Sequence, residues 1–300
     1  MHHPVLLKEA LEGLNIKQGG FYIDATAGEG GHLIEIANRG GKVLGIDLDE
    51  DQIINLKHVI LERTKRAIES NKKDPVSRSK THHSLQDDII LVQGNFAEIE
   101  KIARENNFVP ADGILFDLGL SMRQLENSGR GFSYKKIVEP LDMRMNTNSI
   151  TTVIRLVNEI SEDELYELLA RYGEDPNSHV IAQTIVKSRS KKPVHSVKDL
   201  TDIIDITLGR KDIKTYARIF QALRIAANSE LDNLREGLTG GLKVLNKHGR
   251  IVVIAFHSVE DRVVKQFIHK HNLKQINKKV KAGRSTASFE RSAKLRIIEI

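Results

Sequence analysis

Short apolar runs set between helical patterns constrain this chain more than any other feature of its sequence. Residues 21–25, 42–47, 89–93 and 113–117 read as strands, and the stretches 30–38, 49–69 and 96–105 between them carry helical spacing. Strands joined through helices are forced into crossovers, so the sheet they form is parallel and covered on both faces. A very apolar strand at 250–256, a helix at 258–270 and a closing strand at 295–300 return to the same theme. No strand pattern occurs over 151–210. Helices are expected there from Ser161, where Ser161 and Glu164 fit a capping box, from near Pro176, and from Ser196 after Pro193. A further helical pattern covers 215–245, and a short amphipathic one covers 5–14. The fold class expected is α/β, doubly wound, with an inserted all-helical domain. Its sheet domain would span 1–125 and 214–300, with a substrate loop and helical insertion over 126–213.

Composition removes several classes of function. Without cysteine there is no disulfide framework, no thiolate metal site and no thiol nucleophile. With 29% charged residues and a longest apolar run of only six residues at 251–256, no segment is expected to span a membrane. Glu9 and Glu12 interrupt the apolar stretch near the start, which argues against a secretory signal and for a cytoplasmic protein. The pairs His2-His3 and His82-His83, and His269 with His271, lack a carboxylate cluster at ligand spacing, so no metal is expected. The net charge of +6 is unevenly placed: residues 265–300 hold ten Lys/Arg against Glu290 and Glu299. A basic end on a nearly neutral body points to a polyanionic partner, against the plainer reading of a solvated basic face.

The first strand turns into the first helix through Asp24-Ala25-Thr26-Ala27-Gly28-Glu29-Gly30-Gly31-His32, and glycines there let a ligand approach the backbone. A dinucleotide fingerprint needs Gly or Ala at a third position, which here is Leu33. Asp47 ends the second strand and suits the ribose hydroxyls of an adenosine, whether in a nicotinamide cofactor or in S-adenosylmethionine. Phe96 could lie against an adenine or pack in the core; Asp117 could meet a ligand ammonium or cap a helix. S-adenosylmethionine carries an ammonium, a sulfonium and no phosphate, so an acidic set of strand ends suits it better than a dinucleotide. The irregular segment 118–148, rich in Gly, Ser, Arg and Met, is long for a connector and reads as a functional loop, whereas the polar stretch 70–88 reads as an exposed loop without assigned function.

Several strings are then informative together: His3-Pro4-Val5-Leu6-Leu7, the 24–32 turn, Asp117-Leu118-Gly119-Leu120-Ser121, Gln124-Leu125, Arg130-Gly131-Phe132-Ser133, Pro140-Leu141-Asp142-Met143-Arg144-Met145, Phe220-Gln221-Ala222-Leu223-Arg224-Ile225, Phe256-His257-Ser258-Val259-Glu260-Asp261-Arg262 and Ser292-Ala293-Lys294-Leu295-Arg296. In this order the chain resembles the ribosomal RNA small subunit methyltransferase H family, also called MraW. The resemblance implies a Rossmann-like class I S-adenosylmethionine-dependent methyltransferase fold and methylation of the exocyclic N4 amine of a cytidine in the decoding region of 16S ribosomal RNA, within the small ribosomal subunit. It implies cofactor contacts at Gly30, Gly31, His32, Asp47, Phe96, Asp117 and Gln124. The chain departs from the family at Met122, where a second serine is usual, and at Ser288-Phe289-Glu290-Arg291, which replaces Asn-Pro-Arg.

The absence of cysteine closes the thiolate route to C5 of a pyrimidine, but an exocyclic amine needs no covalent intermediate. It needs near-attack geometry and an acceptor for its N–H. Asp142 and Asp117 are the candidates, Asp142 being the group assigned to catalysis. The base would have to be extruded, and the 118–148 loop is placed to help. Arg130 and Arg144 would bind phosphate or base, or make salt bridges. His257-Ser258-Val259-Glu260-Asp261 follows the most apolar strand, which would put it on the same edge of the sheet as the cofactor; Ser258 with Asp261 is equally a plain helix-capping pattern. The rival readings are a methyltransferase acting on a protein or small amine, a nicotinamide-dependent oxidoreductase, and a non-catalytic RNA-binding module; a homodimer stays open.

Overall fold

A computed structural model describes residues 4–73, 85–277, 281–282 and 292–300. The basic positions Lys278, Lys279, Arg284 and Arg291, the departure at 288–291, and His2, His3, His82 and His83 lie outside these residues, as does most of the 70–88 stretch. The chain divides into two compact units, Met1–Gly119 with Leu231–Ile300, and Leu120–Glu230.

The first unit is built on an 8-stranded sheet. Its strands are β1 (Phe21–Asp24), β2 (Lys42–Asp47), β3 (Ile89–Gln93), β4 (Ala111–Asp117), β5 (Leu245–Ala255), β6 (Lys274–Gln275), β7 (Lys281–Ala282) and β8 (Lys294–Glu299). The spatial order is β3-β2-β1-β4-β5-β8-β6, with β7 also on β8. Strands β1 to β5 pair in parallel, and β8 runs antiparallel to β5, β6 and β7. The chain leaves β1 towards β2 on one side and returns to β4 on the other. This is the switch point at which doubly wound sheets open a crevice at their carboxyl ends.

Both faces of the sheet are covered, which is why its strands read as unbroken apolar runs. On one face Leu115, Val252 and Ile254 pack with Leu33 and Ile36 of the helix Gly31–Asn38 and with Leu11 and Leu14 of the helix Leu7–Leu14. On the other, Ile114 and Phe116 alternate away from Leu115 and meet the helix Glu230–Val244 at glycines: a Cβ on Gly241 would sit 3.1 Å from Ile114, and one on Gly237 3.2 Å from Phe116. The doubly wound α/β reading therefore holds, with refinements at its edges. The helix expected over 96–105 opens with a 3-10 turn, Phe96–Glu98, before Ile99–Glu105. The helical pattern over 215–245 is two helices, Ile213–Ala227 and Glu230–Val244, broken where Ser229 takes a φ of 50°.

The second unit is helical: Met122–Asn127, Val153–Glu159, Glu162–Leu168 continuing into a π turn at Leu169–Gly173, Ser178–Arg189, Val197–Leu208 and Ile213–Ala227. Capping boxes start three of these helices, with Ser121 and Gln124, Ser161 and Glu164, and Ser196 and Asp199 as the reciprocal pairs. The first of these helices lies inside the stretch expected to be irregular. The unit's core takes Phe132, Leu141 and Met143 from the loop and Tyr216, Ile219, Phe220 and Leu223 from Ile213–Ala227. Those four buried residues are the reason this helix falls in the helical unit, although the sequence reading set the return to the sheet domain at 214.

One buried ion pair anchors the antiparallel edge of the sheet. Arg296 on β8 donates through Nε to Asp261 Oδ1 at 2.7 Å, and through Nη1 to Gln275 at 2.8 Å. Asp261 thus serves β8, not the helix cap expected of it with Ser258. The cap of Ser258–Lys270 is His257, whose Nδ1 accepts from Glu260 N–H while Glu260 Oε2 accepts from the His257 and Phe256 amides. Burial pushes the Asp261 carboxyl up, but Arg296, with Lys294 and Lys265 behind it, outweighs that and holds it below its usual range. Its contribution to stability is complete above the ordinary aspartate pKa and fades as pH falls below it. Asp261→Ala, which strands the buried guanidinium, is expected to cost about 3 kcal/mol or more in urea unfolding. Adding Arg296→Met should recover part of that loss.

Candidate active site

The carboxyl ends of β1, β2 and β4 gather the acidic residues that the sequence places there. Asp24, at the end of β1, is 1% exposed, and its Oδ1 accepts from Thr26 N at 3.2 Å. Burial, with the charge of Asp47 nearby, pushes its carboxyl up to about 7 despite that bond. Asp47 is tied on both oxygens, Oδ2 accepting from Gly28 N at 2.8 Å and Oδ1 from Asp49 N at 2.9 Å. Burial also raises Asp47, to about 6, against the two amides. On β4, the Asp117 amide donates to Thr26 Oγ1 at 2.7 Å, which fastens the end of β4 to the turn after β1.

His32 lies in the first turn of the helix Gly31–Asn38 and is 5% exposed. Its Nδ1 stands 3.5 Å from Asp117 Oδ2. Burial lowers its pKa to about 4 against a bond with the Val5 backbone, so at neutral pH this imidazole is neutral. Its Nε2 is buried and has no hydrogen-bond partner among the described residues. Gly30, immediately before the helix, takes a φ of 79°, and a Cβ there would lie 2.2 Å from Leu56 Cδ1. The conformation favours glycine, and any side chain there would have to displace the end of Leu56. Phe96, after β3, is half-buried and meets Phe116 edge-on, with ring centroids 5.7 Å apart. Asn95 holds the start of that turn, accepting from Ala97 N at 2.9 Å and donating to Asn233 at 3.0 Å.

Gly30, Gly31, His32, Asp47, Phe96 and Asp117 thus belong to one unit, while Gln124 and Asp142 belong to the other. Gln124 is 7% exposed, and its Oε1 accepts from Ser121 N at 3.1 Å to close the capping box. Asp142 is gripped by Arg144, Nε to Oδ1 at 2.7 Å and Nη2 to Oδ2 at 2.8 Å. Burial pushes Asp142 up, but the bonds and charge of Arg144 prevail and keep it below the usual carboxylate range. Arg144 spends its remaining Nη1 on the Thr147 and Ser149 carbonyls at 2.8 and 2.6 Å. Arg130 reaches the carbonyls of Arg144 and Met145 at 2.8 and 3.2 Å. Of the two roles left open for Arg144, the salt bridge is the one the structure displays.

Thr26 and Asp24 are the residues that sequence reading passed over. Both stand inside the quoted turn, and the signal is an acid on an otherwise apolar strand followed two residues later by a hydroxyl.

The donor set can be tested against S-adenosylmethionine. A pyrophosphate is held by backbone amides and a closely packed third glycine, but here the Thr26 and Gly28 amides are committed to Asp24 and Asp47, the third position is Leu33, and the segments 24–32, 47–52, 93–98 and 117–121 hold no lysine or arginine. An ammonium and two ribose hydroxyls find carboxylates, and the unpartnered His32 Nε2 offers one more polar contact. The residues fit that cofactor and do not fit a pyrophosphate.

The MraW methylase family matches residues 1–299. A ribosomal RNA small subunit methyltransferase H of Halothermothrix orenii is 40% identical over 99% of this chain and 98% of its own length. The protein of the same name from Thermomicrobium roseum is 40% identical over 90% of this chain and 77% of its own length. Among solved structures, an rRNA methylase from Streptococcus thermophilus aligns over 100% of this chain and 98% of its own, with 10% identity and a TM-score of 0.43.

A pH dependence follows from the two raised carboxyls. Asp24 at about 7 and Asp47 at about 6 hold protons that an ammonium and hydroxyl donors would displace. Binding of S-adenosylhomocysteine should therefore release protons, and its affinity should weaken by about tenfold or more as pH falls through the range between those values and the ordinary aspartate pKa. Calorimetry in buffers of different ionisation enthalpy would measure both effects.

Proposed function

Since the chain belongs to the MraW methylase family, we propose that it methylates the exocyclic N4 amine of one cytidine in the decoding region of 16S ribosomal RNA, acting in the cytoplasm on the small ribosomal subunit. It is a methyltransferase whose cofactor is S-adenosylmethionine. The observation that carries the reading is the cation-free set of strand-end carboxylates, Asp24, Asp47 and Asp117, beside the buried His32. That set supports a positively charged adenosine ligand over a dinucleotide. Among the described residues no helix is long and apolar enough to cross a membrane.

The cofactor supplies a methyl group activated on a sulfonium. Gly30, Gly31 and His32 would line it from the turn after β1, Asp47 would take its ribose hydroxyls, Phe96 would flank the adenine and Asp117 its amino-acid end; the family resemblance adds Gln124 as a further contact. In this scheme Asp142 accepts an N–H of the target amine and so localises its lone pair. A carboxylate held below its usual pKa by Arg144 is suited to accepting a hydrogen bond and poorly suited to taking the proton away. The proton then leaves from the methylated nitrogen to water.

Labelled methyl transfer from S-adenosylmethionine to small subunits that lack the modification, followed by nucleoside analysis, should yield N4-methylcytidine at a single position. Label on protein, or none on RNA, would end the RNA reading. Asp142→Ala should lower the single-turnover rate by about 10² to 10³ while S-adenosylhomocysteine still binds. A near-normal rate would remove Asp142 from the chemistry.

A further inference from the structure

The helical unit carries a basic ridge that the reading above does not use. Residues 187–198 contain Lys187, Arg189, Lys191, Lys192 and Lys198, with His195, and no acidic residue. This segment is pinned from below. Arg189 turns inward to the Val157 and Ile160 carbonyls at 2.8 and 2.5 Å, and Asn158 brackets Val194 with bonds of 2.7 and 2.9 Å. From the side it pairs antiparallel with the 137–141 stretch of the loop. Pro140 bridges Ser196, Leu141 N donates to His195 O at 2.9 Å, Val197 N to Glu139 O at 2.9 Å, and Lys198 N to Ile137 O at 3.0 Å. That pairing brings the exposed Lys135 and Lys136 to the end of the ladder where Lys198 lies, while Lys191 and Lys192 lead into its other end.

The nearby acids are already committed. Asp199 accepts from Ser196 and His195 and pairs with Lys192 at 3.0 Å, Asp202 pairs with Lys198, and Glu139 accepts from Gly131 N at 2.9 Å. Lys135, Lys136, Lys187 and Lys191 are exposed and make no ion pair among the described residues. Uncompensated ammonium groups thus stand at both ends of a hydrogen-bonded ladder five residues or about 15 Å long, Lys135 and Lys136 beyond one end and Lys191, with Lys187 on the helix before it, beyond the other. Charges spread over that length match a run of phosphates better than a compact anion.

We infer that this ridge, Lys135 and Lys136 with Lys187 and Lys191, is a contact surface for the RNA backbone. The inference rests on the RNA reading above, and it assigns sequence-independent backbone binding to the helical unit in addition to the basic end of the chain.

The test replaces Lys135, Lys136, Lys187 and Lys191 together by glutamine in the full chain. A control removes the same charge from four exposed lysines elsewhere, Lys57, Lys101, Lys211 and Lys247. Binding of a labelled mixed-sequence single-stranded RNA is followed by anisotropy over a series of sodium chloride concentrations, with S-adenosylhomocysteine binding as the check on folding. The ridge variant should lose about tenfold or more in affinity at low salt, and its salt slope should fall by about 2 to 3, at 0.7 per lost contact, with the control near wild type. An unchanged slope in the ridge variant, or an equal loss in the control, overturns the inference. An acidic polypeptide that competes for the ridge while RNA binding is unaltered overturns it too. If the ridge variant loses RNA binding but even the wild type methylates no RNA, the ridge stands and the methyl-acceptor reading falls.

Discussion

A carboxylate at the end of a buried strand must be answered by something, and at β1 and β2 it is answered by the backbone amides of the turns that follow. Thr26 gives its amide to Asp24, while Gly28 and Asp49 give theirs to Asp47. Amides so directed are no longer a cradle for phosphate. What the switch point presents is acid, a neutral imidazole and glycine, and that selects a ligand that is positive and rich in hydroxyls. The Thr26 hydroxyl completes the arrangement by accepting the Asp117 amide, so the turn after β1 also fixes the end of β4.

How much of this was legible depended on whether a residue's partner is local. The strands were visible because burial on both faces writes them as continuous apolar runs, and the Ser161 and Ser196 starts were visible because a capping box spans only four residues. Asp47 and Asp117 were legible as acids at strand ends. What sequence could not carry were bonds of long separation. Asp261 serves Arg296 on β8 and leaves the cap to His257, whose imidazole does the work usually given to a hydroxyl. The break at Ser229 was hidden because the residues around it keep helical spacing, and only the positive φ marks it. The helix Ile213–Ala227 looked like the return to the sheet domain, yet its apolar face is spent on the helical core.

The irregular loop of the helical unit is ordered from within. Arg144 binds Asp142 and two carbonyls, Arg130 binds two more, and Phe132, Leu141 and Met143 drop into the core. A guanidinium with several fixed donors suits this task, because it satisfies carbonyls that a loop without secondary structure would otherwise leave to water. Sequence leaves these arginines open between a ligand outside the protein and salt bridges within it, and the structure displays the inward bonds. Asp142 gains a fixed position from the same grip, along with a lowered basicity.

Strand β8 lies inside the sheet, with β5 on one side and β6 and β7 on the other. A ribosome delivers Lys294–Glu299 after β1 to β7, so during synthesis the outer edge of β5, with its apolar run at 251–255, waits with its amides and carbonyls unpaired. Exposed edges of that kind recruit whatever strand is nearest. The nascent chain is therefore most exposed to mispairing between the emergence of β5 and that of β8, and β8 is the cover that ends that exposure.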